Sequence, residues 1–144
     1  LEKVELFYRE VVEVKPGVLE FLDYLKAQGV KMAVATASNG DMVRIVMERC
    51  GLTPYLDMVV SCAEVGKGKD EPDVFLLTLE RMGTTANETW MFEDSFVAVQ
   101  TAKRIGMPTV GIFDRNNYGQ DILRANSDHY IAEGESLTRL IGIL

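Results

Sequence analysis

The feature that most constrains this chain is an alternation of amphipathic helical stretches with short, continuously apolar runs. Residues 31–36 (KMAVAT), 56–61 (LDMVVS), 89–92 (TWMF), 108–113 (PTVGIF) and 129–132 (HYIA) are runs of that kind. A strand covered on both faces has no polar side to show, so it reads as an unbroken apolar run rather than as an alternation. Between these runs lie stretches with helical spacing. Pro16-Gly17 opens one carrying Val18, Leu19, Phe21, Leu22 and Leu25, closed by Gly29. Residues 40–50 predict a second, with Met42, Val43, Ile45, Val46 and Met47 inward and Gly51 past its end. Helices follow at 72–82, with Pro72 in the first turn, at 96–105, stopped by Gly106, and through Ile122 and Leu123. A terminal helix is expected over 137–144. Strand–helix–strand repetition of this sort gives right-handed crossovers and a mostly parallel sheet between two helical layers, an α/β, three-layer α/β/α Rossmann-like core.

The 144 residues suffice for one domain with a sizeable core. A net charge of -7 disfavours binding to a nucleic-acid backbone, although a local basic pocket for a small phosphorylated ligand is compatible with it. Two cysteines, Cys50 and Cys62, and a single histidine, His129, are too few and too scattered for a zinc site. The same two cysteines read as reduced core thiols of a cytoplasmic protein. No apolar run approaches the ~20 residues of a membrane span, and no signal peptide opens the chain. The chain begins at Leu1 rather than Met, so the start of the gene product is expected upstream.

In parallel α/β sheets the chemistry gathers past the carboxyl ends of the strands. Three such ends carry suggestive residues. The first reads Thr36-Ala37-Ser38-Asn39-Gly40, where hydroxyls and backbone N–H groups at a helix start form either an anion site or, through Ser38 or Asn39, an ordinary cap. After the second strand comes Gly66-Lys67-Gly68-Lys69-Asp70-Glu71-Pro72-Asp73-Val74-Phe75, where an ammonium can reach a phosphate or a carboxylate, or simply face solvent. The third end is Phe92-Glu93-Asp94-Ser95. Two adjacent carboxylates leaving a buried strand call for a cation, and magnesium takes one or two carboxylates together with substrate phosphate. Capping of the next helix by Asp94 or Ser95 is the alternative.

Taken in this order, the three ends resemble the haloacid dehalogenase (HAD) superfamily, most closely its β-phosphoglucomutase-like and phosphoglycolate-phosphatase-like branch. Thr36 matches the family's Ser/Thr motif, Lys69 before Pro72-Asp73-Val74-Phe75 its lysine motif, and Glu93-Asp94-Ser95 its acidic motif. Pro16-Gly17 resembles the passage from cap to core, and Arg104-Ile105-Gly106-Met107 the family's helix ending. The likeness runs from about Val14 to the end, so residues 14–144 would be the core and residues 1–13 a remnant of the last cap helix and its linker.

There are two departures. The branch commonly has Lys-Pro where this chain has Lys69-Asp70, which makes Lys67 a rival to Lys69. The family's first motif, Asp-x-Asp-x-Thr on the central strand, is absent, and no Asp-x-Asp occurs anywhere. The resemblance implies a Mg²⁺-dependent phosphatase or phosphomutase acting on a small phosphorylated metabolite through an aspartyl-phosphate whose Asp lies outside this chain. Thr36 and the amides of Ala37 and Ser38 would hold the phosphoryl oxygens. Lys69 would balance charge, Asp94 would ligate Mg²⁺, and Glu93 would ligate it or orient its waters. A catalytically inactive module of the same fold, binding phosphate or a protein, is the competing reading. A response-regulator-like receiver is argued against by motif order, since its acidic pair precedes the Thr and Lys strands. The missing strand would leave a slot of about 10 Å between the strands ending at Thr36 and Phe92. That slot is expected to close directly, to be filled by residues 1–14, or to be filled by a second copy through self-association.

Overall fold

A computed structural model of the chain describes residues 2–4 and 15–144. Six strands form one parallel sheet: β1 (Glu2–Val4), β2 (Met32–Thr36), β3 (Met58–Ser61), β4 (Trp90–Glu93), β5 (Thr109–Ile112) and β6 (His129–Ile131), in the spatial order β3-β2-β1-β4-β5-β6. Among the described residues five helices connect them: α1 (Val18–Ala27), α2 (Gly40–Arg49), α3 (Asp73–Met82), α4 (Phe96–Arg104) and α5 (Gln120–Asn126).

Strand side chains alternate between the two faces, and two cores form accordingly. Met32, Val34, Phe92, Val110 and Ile112 pack with Val18, Phe21, Leu22 and Leu25 of α1 and Val43 and Met47 of α2. The intervening Ala35, Val60 and Met91 pack with Val74, Phe75 and Leu79 of α3 and Ala98 and Ala102 of α4. α5 joins this second layer over Gly111, where a Cβ would stand 2.4 Å from the Ser127 Oγ and 3.0 Å from the Leu123 Cγ. This is the expected three-layer α/β/α core. Both sheet edges are blunted by an arginine on a strand carbonyl, Arg44 on Val59 O (3.3 Å) and Arg139 on Tyr130 O.

The slot between β2 and β4 is filled from within the chain. Glu2 and Lys3 pair with Met32 and Ala33 on one side, and Glu2 to Val4 with Trp90, Met91 and Phe92 on the other. Of the outcomes expected for the slot, filling by residues 1–14 is the one found, and β2 and β4 do not pair directly. Glu2–Val4 are therefore a strand of the sheet, not helix or linker. The remainder of the proposed cap remnant, residues 5–13, lies outside the described residues.

Two other expectations need correction. Met42 and Ile45 face outward, 65% and 64% exposed, because among the described residues no layer covers that flank of α2; only Val43 and Met47 of the helix are buried. The terminal segment forms a 3₁₀ turn at Leu137–Leu140 rather than a helix to Leu144, since Ile141 turns extended and Gly142 takes φ 81°.

Gly17 shows why Pro16-Gly17 stands at the start of α1. Its φ of 76° suits glycine, and a Cβ there would lie 2.0 Å from the Ser136 Oγ. The Leu137 amide donates to Pro16 O at 3.0 Å, tying the chain's end to this turn.

Candidate active site

Parallel strands bring β2, β3, β4 and β5 to one carboxyl edge, with Thr36 in register with Ser61 and Glu93 with Gly111. Carboxylates at the opposite, amino edge are structural. Asp57 Oδ2 accepts the Met32 amide and Asp128 Oδ2 the Thr109 amide, each at 2.7 Å.

Lys69 reaches the carboxyl edge and donates from Nζ to Glu93 Oε2 at 2.9 Å, with the two side chains only 13% and 3% exposed. Lys67 is exposed on the same loop. The loop is held in place although Asp70 replaces the customary proline: Arg104 Nη2 donates to Asp70 O at 2.6 Å. Glu93 uses its other oxygen, Oε1, to accept the Asp94 amide at 3.1 Å. Burial by itself would raise the Glu93 carboxyl, but the Lys69 charge and the hydrogen bonds from Asp94 and Lys69 outweigh it and hold the group below its usual range.

Asp94 is in the opposite condition. Its carboxyl is pushed up to about 8, first by burial, then by hydrogen bonding and charge from Glu93, and then by the same from Asp114. A charge on Asp94 would be buried and would face Glu93 and Asp114 together, which favours its protonated form. Asp114 was not singled out from the sequence, yet it lies just past β5, is 6% exposed, and hydrogen-bonds the Asp94 side chain. The signal was present: it is an acid at the end of a fourth apolar run.

Thr36 is fully buried at the end of β2, on the far side of β1 from Glu93. The Ser38 amide donates to Thr36 Oγ1 at 3.0 Å, and the Ser61 hydroxyl donates to Ser38 O at 2.9 Å. Asn39, not Ser38, caps α2: its Oδ1 accepts from the Asp41 amide (2.8 Å) and the Met42 amide (3.3 Å). Ser95 stands at the N-cap of α4 without a side-chain cap bond. The structure thus joins Lys69, Glu93 and Asp94 directly, and sets Thr36, Ala37 and Ser38 two strands away on the same edge.

The donors suit a hard divalent cation. Lys69 balances Glu93, while Asp94 lies buried beside Glu93 and Asp114 with its carboxyl pushed up, a place where a cation would supply the missing positive charge. Among the described residues no three His, Cys, Asp or Glu side chains are grouped as a cage. Cys50 and Cys62 are thiols. Among the described residues no helix is long and apolar enough to cross a membrane. A groove of about 640 Å³ beside β3, bordered by Arg44, Ile45, Asp57 and Arg81, includes none of these site residues.

Comparison with known proteins places the fold in a family. A phosphorylated carbohydrates phosphatase of Thermotoga maritima is 30% identical over 99% of this chain and 67% of its own length. Phosphoglycolate phosphatase of Escherichia coli is 32% identical over 81% of this chain and 48% of its own length. A crystal structure of a Thermotoga maritima protein, provisionally assigned as a β-phosphoglucomutase, superposes with a TM-score of 0.78 at 31% identity, covering 90% of this chain and 61% of that one. The chain therefore spans about half to two thirds of the length of the relatives it matches. The profile of the haloacid dehalogenase-like hydrolases matches residues 2–112, and the chain belongs to that family.

Proposed function

We propose that this chain is the C-terminal core of a Mg²⁺-dependent phosphatase or phosphomutase of small phosphorylated metabolites, with phosphoryl transfer through an aspartyl-phosphate. The observation that carries this reading is the buried Lys69–Glu93 pair beside Asp94 at the carboxyl edge of the sheet. The relatives that match over most of the chain are phosphatases, which supports it.

The attacking Asp lies outside this chain, since no Asp-x-Asp occurs within it. Asp94 would ligate the metal, with Glu93 fixing the orientation of the pair. When bound, the cation would polarise the phosphoryl group and neutralise charge. Lys69, about 3 Å from a Glu93 oxygen, would also stand beside the nucleophile's charge; an ion pair at ~4 Å is worth about 4 kcal/mol at an effective dielectric of ~20, before desolvation is subtracted. Thr36 and the amides of Ala37 and Ser38 would take the phosphoryl oxygens. For Ser38 this means exchanging the bond it now makes to Thr36 Oγ1. The thiols of Cys50 and Cys62 fit a reducing compartment, the cytoplasm.

A second reading, a catalytically inactive phosphate-binding or protein-interaction module, is favoured by one observation: Glu2–Val4, with no Asp-x-Asp, occupies the central strand position. Turnover separates the two. The 144-residue chain should release no phosphate from p-nitrophenyl phosphate. The same chain extended by its in-frame upstream sequence should do so in Mg²⁺ and lose the activity on Asp94→Asn. An extended chain without Asp-x-Asp-x-Thr and without turnover would leave the inactive module standing. Turnover by the short chain, abolished by Asp94→Asn, would overturn the placing of the nucleophile outside it.

A further inference from the structure

The loop between β5 and α5 converges on Asp94 from a direction that the three motifs do not describe. Asn117 Nδ2 donates to the Asp94 carbonyl at 3.2 Å. Asp114 Oδ1 accepts the Asn116 amide at 2.8 Å, which fixes one carboxyl oxygen to its own turn. The Asp114 carbonyl accepts the Asn117 amide at 3.0 Å and Gln120 Nε2 at 3.2 Å. Gln120 is in turn held by the Tyr130 hydroxyl, which donates to its Oε1 at 2.9 Å. On the other side, Lys15 Nζ donates to the Phe113 carbonyl at 2.8 Å, immediately before Asp114.

The loop is also pressed against α4. Gly119 has φ 75°, and a Cβ there would lie 2.6 Å from Phe96 Cδ1, so only glycine lets the loop come this close. Phe96 and Tyr118 stack edge to face at 5.7 Å. A carboxylate that is 6% exposed, tied to backbone at one oxygen and brought to a neighbouring carboxyl by a braced loop, is an expensive arrangement to keep for packing alone.

We propose that Asp114 is a positioning residue for the cation site: its carboxylate orients the Asp94 side chain and adds negative charge behind it, with Asn117 holding the Asp94 backbone. This rests on Asp94 being a metal ligand. Groups just outside a metal's own ligands commonly set ligand direction and basicity, and losing one lowers metal affinity about 10–100-fold.

Binding of Mn²⁺ to the full chain, followed by the electron paramagnetic resonance signal of the free ion, tests the proposal without requiring turnover. Asp94→Asn should abolish binding. Asp114→Ala should weaken it about tenfold or more. Asp114→Asn should recover part of that loss, because its amide oxygen still accepts the Asn116 amide and its NH₂ can still donate to Asp94. Thermal melts check that each variant is folded, and the asparagine variant stands in should the alanine variant fail to fold. Wild-type affinity in both Asp114 variants, beside loss in Asp94→Asn, would overturn this inference alone. Unchanged affinity in Asp94→Asn would overturn the assignment of Asp94 as ligand, and the role of Asp114 with it.

Discussion

Replacing Asp94 by Asn should stabilise the metal-free protein while destroying its response to magnesium. Asp94 is 8% exposed and its carboxyl is pushed up to about 8 from an ordinary 3.8 by burial, Glu93 and Asp114. The unfolded chain releases this proton near 3.8 and the folded chain keeps it until about 8. Between those values folding takes up a proton, so this group's contribution to stability falls as pH rises. About four pH units separate 3.8 from 8, and at ~1.36 kcal/mol per unit the ceiling at pH 8 is about 5 kcal/mol. Relaxation of the site and partial solvent access reduce this to roughly 1–3 kcal/mol. Asn carries no charge to bury, and its amide can donate to Glu93 or Asp114. Thermal melts in EDTA should show Asp94→Asn gaining roughly 3–9 °C over wild type at pH 8, taking about 3 °C per kcal/mol for a chain of this size. The gain should shrink towards zero at pH 4. Millimolar Mg²⁺ should raise the wild-type midpoint at pH 8 and leave the variant's unchanged. A variant less stable than wild type in EDTA at pH 8, or a gain that does not vary with pH, would refute the argument.

Two further outcomes follow from the buried contacts. Lys69→Met leaves Glu93 buried without its cation and should cost about 3–5 kcal/mol in urea unfolding, whereas Lys67→Met should stay within about 0.5 kcal/mol; equal effects would remove Lys69 from the site. Gly17→Ala should cost at least about 2 kcal/mol, against about 1 kcal/mol for Gly29→Ala, because both have φ near 75° but only Gly17 meets another atom within 4 Å; a matched pair of midpoints would show that the Ser136 contact yields freely.

The continuous apolar runs made five of the six strands legible, and the helical spacings with their glycine stops made α1 to α5 legible to within a few residues. Burial on both faces and one-sided burial leave different signatures along the chain. Lys69, Glu93 and Asp94 could be found because carboxyl ends of parallel strands share an edge, whatever the helices between them do. Asp114 was missed because that rule was applied to three strand ends and not to the fourth.

What composition, spacing and motif order determined was the layered α/β fold, its family and the edge on which the candidate residues gather. The fold and the edge follow from local periodicity and from the one-way geometry of right-handed crossovers, the family from the resemblance of the strand-end motifs. Tertiary structure alone decided which lysine reaches Glu93, since Lys67 and Lys69 sit on one loop and only the fold shows Lys69 turned to the carboxyl edge and Lys67 to solvent. It also decided that Asn39 rather than Ser38 caps α2, which depends on whose side chain meets the first helical amides. A helical period says which residues share a face but not whether a partner covers it, so Met42 and Ile45 could be placed outward only by the completed fold. The proton on Asp94 has the same origin: it depends on carboxylates from two strand ends meeting in one buried space, and distance along the chain carries no trace of that.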